Sequence, residues 1–249
     1  MSETFAELNG VRIHYRLDGP EDGEPLALVN MGSSNLQSWT PVMDDLARTF
    51  RVLRHDIRGT GRSGGGPAEG YTFPQYADDL AALMDHLSIP RAFVMGLAYG
   101  ARTAGQFALR HPGRLTRIAF FDVAFTPPVE REAREAKGRE AAALLAEAGE
   151  RMVESQKAWF WHDVKENAAA VHTAHLTEPD ITERLATLAV PCLVACGRQD
   201  LNLAQAERVA NTIPGAAFHV IERCGHGSIL FQPKVVSRLL LEFAGHRAA

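Results

Sequence analysis

Short apolar segments alternate with amphipathic ones along most of the chain. Near its start, alternating residues over 4–8 and 11–17 flank Asn9-Gly10, a dipeptide that supplies the positive φ of a tight hairpin turn. Further on, apolar runs predict strands, and segments of helical periodicity lie between them. The predicted strands span residues 26–30, 52–56, 92–95, 117–121, 192–195 and 218–221, and the predicted helices span 41–47, 74–87, 99–110, 204–213 and 234–244.

This alternation predicts an α/β protein, with a mostly parallel sheet and crossover helices. The pattern breaks over 127–188, where an Ala/Glu/Arg-rich sequence predicts helices only. The two flanking parts need each other to complete one sheet. We therefore predict one core domain, formed by residues 1–126 and 189–249, with an inserted helical cap at 127–188.

Composition narrows the possible function classes. The chain has 249 residues, of which 46% are apolar, so it is long and apolar enough to bury a core. A net charge of −4 without a Lys/Arg-rich run argues against nucleic-acid binding. The polar first ten residues, the three cysteines (Cys192, Cys196 and Cys224) and the lack of a stretch near the ~20 apolar residues of a membrane helix favour a soluble, cytoplasmic protein without membrane association. The sequence predicts no oligomeric state.

The segment Gly59-Thr60-Gly61-Arg62-Ser63-Gly64 matches G-x-G-x-x-G after a predicted strand. A dinucleotide site of that type needs a helix to begin at the motif, so that the helix N-terminus holds the pyrophosphate. Here Gly65, Gly66 and Pro67 follow, and helical periodicity begins only at Pro74. The segment therefore predicts a turn that redirects the chain, and we expect no nucleotide cofactor.

A second glycine-rich segment, Gly96-Leu97-Ala98-Tyr99-Gly100, lies between a predicted strand and a predicted helix. So short a connection forces a sharp turn with a strained central residue, and flanking glycines let the helix pack close to the sheet. This is the nucleophile-elbow pattern G-x-S-x-G with alanine in place of serine.

The pattern requires an acid beyond a later strand and a histidine beyond the last one. Asp200 and His226 lie at those two places, where the ends of parallel strands meet. Asp122, just past an earlier predicted strand, is an alternative position for the acid. Each residue also has an interpretation without catalysis, because a carboxylate caps helices and turns and a histidine can lie on the surface or satisfied in the core.

Several motifs carry a resemblance to the α/β-hydrolase superfamily that covers nearly the whole chain. Residues 54–63 resemble its D-x-R-G-x-G-x-S turn, 77–80 resemble its next helix, and His226 with Pro233 resembles its terminal histidine loop. Residues 30–39 are similar to the N-S-L-G-T-D-L-x-x-W stretch of enol-lactone hydrolases of the 3-oxoadipate type. The resemblance implies the α/β-hydrolase fold and hydrolysis of a small carboxylic ester or lactone.

The resemblance also implies a role for individual residues. His226 is the general base and later the acid, oriented by Asp200. The backbone N–H of Tyr99 and that of Gly32 or Met31 form the oxyanion hole, with Gly32 the preferred donor. Two further expectations concern the predicted cap. Its aromatic residues either wall a substrate pocket or pack the cap onto the core; they are Trp159, Phe160 and Trp161. Its histidines bind no metal, because no carboxylate or cysteine stands at ligand spacing with His162, His172 and His175.

Ala98 departs from the family pattern, because a methyl group cannot form an acyl-enzyme. Two explanations remain open. In the explanation that we favour, an inactivating change replaced serine and left the rest of the site intact. In the other, alanine is native, and the protein either uses the His226/Asp200 dyad as a general base without a covalent intermediate or binds small carbonyl compounds without catalysis.

Overall fold

A computed structural model describes residues 4–32, 34–126, 130–171 and 173–246 of the chain. Its strands are β1 Thr4–Leu8, β2 Val11–Asp18, β3 Glu24–Val29, β4 Phe50–His55, β5 Ala92–Leu97, β6 Leu115–Phe121, β7 Cys192–Gly197 and β8 Ala217–Ile221. Its α-helices are α1 Thr40–Leu46, α2 Phe73–His86, α3 Tyr99–Arg110, α4 Arg131–Glu147, α5 Lys165–Val171, α6 Ala174–Thr177, α7 Leu203–Thr212, α8 Ser228–Phe231 and α9 Pro233–Phe243.

The eight strands form one sheet in the order β1-β2-β4-β3-β5-β6-β7-β8. The β1–β2 and β2–β4 pairs are antiparallel, and the other pairs are parallel. The predicted hairpin is confirmed, with Asn9 at φ +48° and Gly10 at φ +75°. This is the sheet of the α/β-hydrolase fold, and it places the carboxyl ends of β5, β6 and β7 side by side.

Buried apolar side chains cover both faces of the sheet. In β5, Val94 belongs to the cluster with α2, α3 and α7, whereas its neighbours Phe93 and Met95 belong to the cluster with α1 and α9. Successive residues of a strand point to opposite faces, so a strand that is apolar at every position is covered by helices on both sides.

The segment between β6 and β7 contains α4, α5, α6 and two 3-10 turns at 157–160 and 182–187. Over its described residues, 130–171 and 173–188, no strand is present. We call these residues the helical insertion. None of the helices that the structure describes is both long enough and apolar enough to cross a bilayer.

Candidate active site

The connection from β5 to α3 is the sharp turn that the glycine spacing predicted. Ala98 adopts φ +52° and ψ −107°, a backbone conformation that L-residues rarely take. A Cβ at Gly96 would lie 2.4 Å from the carbonyl oxygen of Gly100, and one at Gly100 would lie 2.2 Å from that of Val29. Both positions therefore require glycine, because only glycine lets α3 approach the sheet this closely.

The ends of β7 and β8 bring the predicted acid and histidine together. His226 Nδ1 lies 2.8 Å from Asp200 Oδ2, while Asp200 Oδ1 accepts a hydrogen bond from the Asn202 amide at 3.0 Å. An ionised carboxylate only accepts, so the proton of this contact is on Nδ1 and leaves Nε2 as the basic nitrogen. The side chain of Asp200 is fully buried, and that of His226 is 19% exposed.

Asp122, the alternative acid, makes a different set of contacts. Its Oδ2 accepts hydrogen bonds from the amides of Gly227 at 3.0 Å and Ser228 at 2.7 Å. Burial, reinforced by the nearby charge of Asp200, raises the pKa of the Asp122 carboxyl to about 6. The Nδ1 atom of His226 therefore contacts Asp200, whereas Asp122 contacts the backbone that follows the histidine.

Backbone hydrogen bonds and the side chain of Asp122 connect Ala98 to the loop that contains His226. The Ala98 amide donates to the carbonyl of Phe121 at 2.8 Å, and the next residue, Asp122, holds the Gly227 and Ser228 amides. The turn after β5 is thus attached to the last residue of β6, and the loop after β8 is attached to the residue that follows it.

The predicted oxyanion donors lie in adjoining segments. A Cβ at Gly32 would lie 3.2 Å from the Cβ of Tyr99, so the loop after β3 contacts the first residue of α3. The carbonyl of Met31 accepts a hydrogen bond from Ser34 Oγ at 2.8 Å. The Tyr99 hydroxyl donates to the carbonyl of Val171 at 2.5 Å, which ties the start of α3 to the helical insertion.

The three aromatic residues of the helical insertion differ in exposure. Trp159 is 2% exposed, whereas Phe160 and Trp161 are 42% and 48% exposed. The guanidinium of Arg62 lies 5.7 Å from the centre of the Trp161 ring. Trp159 thus contributes to the interior, and Trp161 lies at the surface beside the turn after β4.

Sequence reasoning missed Asn35, which attaches the loop after β3 to the helical insertion. Its amide donates to the carbonyl of Trp159 at 2.8 Å, and its Nδ2 donates to the carbonyls of Ala158 at 2.7 Å and Trp161 at 3.1 Å. Its place in the motif at 30–39 was the only available signal, since its partners are more than 120 residues away in sequence.

The glycine-rich segment at 59–64 is a turn held by Asp56 rather than the start of a helix. Asp56 accepts hydrogen bonds from the amides of Leu36 at 2.7 Å and Arg62 at 2.9 Å, and its Oδ2 lies 2.7 Å from His14 Nδ1. The next α-helix begins at Phe73. The geometry of a dinucleotide-binding turn therefore does not form here.

The residues weighed as metal ligands are only partly described. His162 Nδ1 accepts a hydrogen bond from the Gly61 amide at 2.8 Å, and His172 and the side chain of His175 lie outside the described residues. In the described part of the chain, Asp122, Cys196 and Asp200 each offer an atom within 4.8 Å of the other two. Asp200 already contacts His226, and Asp122 already accepts two backbone amides, so these groups do not fit a resident metal ion.

Comparisons with known proteins agree with the fold. A family model described as alpha/beta hydrolase fold matches residues 25–146. The chain is 27% identical to a putative carbamate hydrolase RutD of Variovorax paradoxus, over 95% of this chain and 97% of that protein. It is also 27% identical to 3-oxoadipate enol-lactonase 2 of Acinetobacter baylyi, over 90% of each.

A solved structure gives the same picture. The crystal structure of the enol-lactonase from Burkholderia xenovorans LB400 superposes with a TM-score of 0.81 and 28% identity, covering 98% of this chain and 100% of that one. The sheet order, the sharp turn after β5 and these similarities together show that the chain has the α/β-hydrolase fold.

Proposed function

We propose that this chain carries the site of a hydrolase for small carboxylic esters or lactones, with Ala98 at the position of the nucleophile. The observation that carries the proposal is the 2.8 Å contact between His226 Nδ1 and Asp200 Oδ2, which leaves Nε2 free to act as a base. The positive φ of Ala98 supports it, because a strained turn at a strand end is the usual setting of a nucleophile in this fold.

In this proposal, the covalent step needs a hydroxyl at position 98. The oxygen of an introduced serine attacks the carbonyl carbon while its proton passes to His226 Nε2, and the leaving alcohol then takes that proton. Water then attacks the acyl carbon and gives its proton to His226, and the serine oxygen leaves and takes that proton back. The amides of Tyr99 and Gly32, or Met31 in place of Gly32, stabilise the oxyanion of each intermediate.

The helical insertion, including the predicted substrate-binding Trp159 and Trp161, forms a cap over this site in the proposal. Three hydrogen bonds of Asn35 and that of Tyr99 to Val171 support the assignment, because they attach the insertion to the predicted oxyanion segments. The names of the relatives, a lactonase and a carbamate hydrolase, support a small substrate with an acyl carbon bonded to a heteroatom.

The proposal is tested by the Ala98→Ser variant. It should hydrolyse p-nitrophenyl acetate at least about 10³-fold faster than the unmutated chain, because it regains the nucleophile of a triad. Ala68→Ser, the same substitution at an exposed site, should change nothing, and Ala98→Ser/His226→Ala should lose the gain. A folded Ala98→Ser variant that stays inert would refute the proposal.

The same assay distinguishes the proposal from the alternative in which His226 and Asp200 act as a general base without a covalent intermediate. The 19% exposure of the His226 side chain favours it as a second candidate, since a partly exposed imidazole held by a carboxylate can activate water. In that case the unmutated chain hydrolyses the ester, and His226→Ala removes this activity.

A further inference from the structure

Asp122 is the buried carboxylate to which the proposed mechanism gives no role. It directly follows β6, is 0% exposed and adopts φ +53°. Its amide donates to the carbonyl of Ala195 at 2.9 Å, and its carbonyl accepts from Asn202 Nδ2 at 2.9 Å. The backbone of Asp122 is therefore fixed to β7 and to the turn that follows it.

The side chain of Asp122 is directed toward the histidine loop. Oδ2 accepts both the Gly227 amide at 3.0 Å and the Ser228 amide at 2.7 Å. These are the two residues that follow His226, and Gly227 has φ +90°, so the chain turns sharply here. An acceptor shared by two consecutive amides restricts the backbone to one conformation at this turn.

Hydrogen bonds link Asp122, Asn202, Asp200 and the loop of His226 into a closed ring. The Asn202 side chain donates to the Asp122 carbonyl, and the Asn202 amide donates to Asp200 Oδ1 at 3.0 Å. Asp200 Oδ2 holds His226 Nδ1 at 2.8 Å, and the chain returns through Gly227 to Asp122. Asp200 thus binds the ring of His226, and Asp122 binds the backbone of the two residues that follow it.

We propose that Asp122 is a positioning residue for His226: by binding the Gly227 and Ser228 amides, it fixes the imidazole against Asp200. The inference rests on the proposed function, because it gives His226 its catalytic task. It goes beyond that function because it gives Asp122 and Asp200 separate roles. From the sequence alone, the two residues are alternatives for a single acid.

The electrostatics of the site give this inference a measurable signature. The titratable groups that face Asp122 are Asp200 and Cys196 from the end of β7, and His226 and Cys224 from the loop after β8. Burial and the Asp200 charge raise the pKa of Asp122 to about 6, while His226 opposes that shift. The Gly227 and Ser228 amides donate to Oδ2, so their protons report directly on this carboxylate.

The first experiment follows the hydrogen-bonded Nδ1 proton of His226 by NMR in the chain with Ala98, so no turnover is needed. The signal is assigned by its loss in His226→Gln. Asp122→Ala should speed its exchange with water at least about 10-fold, because the loop loses its acceptor. Asp122→Asn should retain the signal, because its Oδ1 still accepts, and the exposed Asp44→Ala serves as control. Unchanged exchange in a folded Asp122→Ala variant, or loss of the signal in a folded Asp122→Asn variant, would overturn the proposal.

A second measurement needs no substitution at Asp122. The amide proton shifts of Gly227 and Ser228 should move together with pH, in a step centred well above pH 4, because both protons are bonded to the same titrating carboxylate. Amide shifts that stay constant between pH 4.5 and 7.5 would contradict the inference. Neither readout depends on hydrolysis, so failure here is distinguishable from failure of Ala98→Ser to hydrolyse an ester.

Discussion

Ala98 has a strained backbone conformation and a side chain that makes no hydrogen bond. Its φ of +52° is a conformation that costs a non-glycine residue of order 1–3 kcal/mol, and the methyl group adds no hydrogen bond. Such strain is typical of functional turns. Its presence at Ala98 supports the proposal that position 98 is that of the nucleophile.

Replacing Ala98 with glycine should therefore stabilise the protein. We expect about 1 kcal/mol, or a rise of roughly 2–4 °C in Tm, because glycine adopts positive φ without strain. The matched control is Ala104→Gly in the middle of α3, which should lower stability by about 1 kcal/mol or more. If thermal unfolding shows both variants destabilised alike, the turn is not strained in the way described.

At this scale, the sequence reveals what depends on near neighbours. The need for glycine at 96 and 100 could be predicted because both residues belong to one short turn of the chain. The contact of Asp122 with Gly227 could not, because it depends on how the ends of β6 and β8 meet. Asp122 was therefore considered only as a substitute for Asp200, although the structure gives the two residues different partners.

Among the elements, the long periodic ones were predicted most accurately. The prediction of α3 over 99–110 is confirmed at both ends. The strands β5 and β6 are each two residues longer than predicted. The helix α8, Ser228–Phe231, was missed because four residues carry no periodicity. The helical insertion was predicted as helical, but its attachment through Asn35 depends on contacts distant in sequence.

Asn35 provides a prediction about that attachment. Asn35→Ala removes both side-chain bonds to carbonyls of Ala158 and Trp161, each worth about 1 kcal/mol. Trypsin should then cleave after Lys157 and Lys165 at least about 10-fold faster, since local opening controls access. The exposed neighbour Gln37→Ala should leave the cleavage rate unchanged. Equal rates in the two variants would show that Asn35 does not hold the insertion.

For the molecule as a whole, the strand order follows from the alternation of strands and helices together with the initial hairpin. Parallel strands joined by crossover helices bring their carboxyl ends to one edge, and Asp200 and His226 lie in contact at that edge. The rule is silent on buried ionisable groups inside the sheet. His55 at the end of β4 is one of them, and burial lowers its pKa to about 4.

This depression predicts how stability depends on pH. A histidine whose pKa is lower in the folded state than in the unfolded state stabilises nothing above pH 6.5, and it costs stability as pH falls from there toward 4. From pH 7 to pH 5 the cost is about 2 kcal/mol, from the roughly 1.36 kcal/mol per unit of pKa. Urea unfolding of His55→Gln should show that this loss has gone, while the exposed His86→Gln retains it. A parallel pH dependence of His55→Gln and the unmutated chain would contradict this.

The central proposal is that the chain carries an α/β-hydrolase site that lacks one oxygen atom, at position 98. The most direct measurement is the intact mass of Ala98→Ser after treatment with a fluorophosphonate, in which the serine oxygen displaces fluoride from phosphorus and His226 takes its proton. The account predicts one phosphonyl adduct per chain in Ala98→Ser, none in the unmutated chain, and strongly slowed labelling in Ala98→Ser/His226→Ala. A folded Ala98→Ser variant that remains unlabelled would contradict the account.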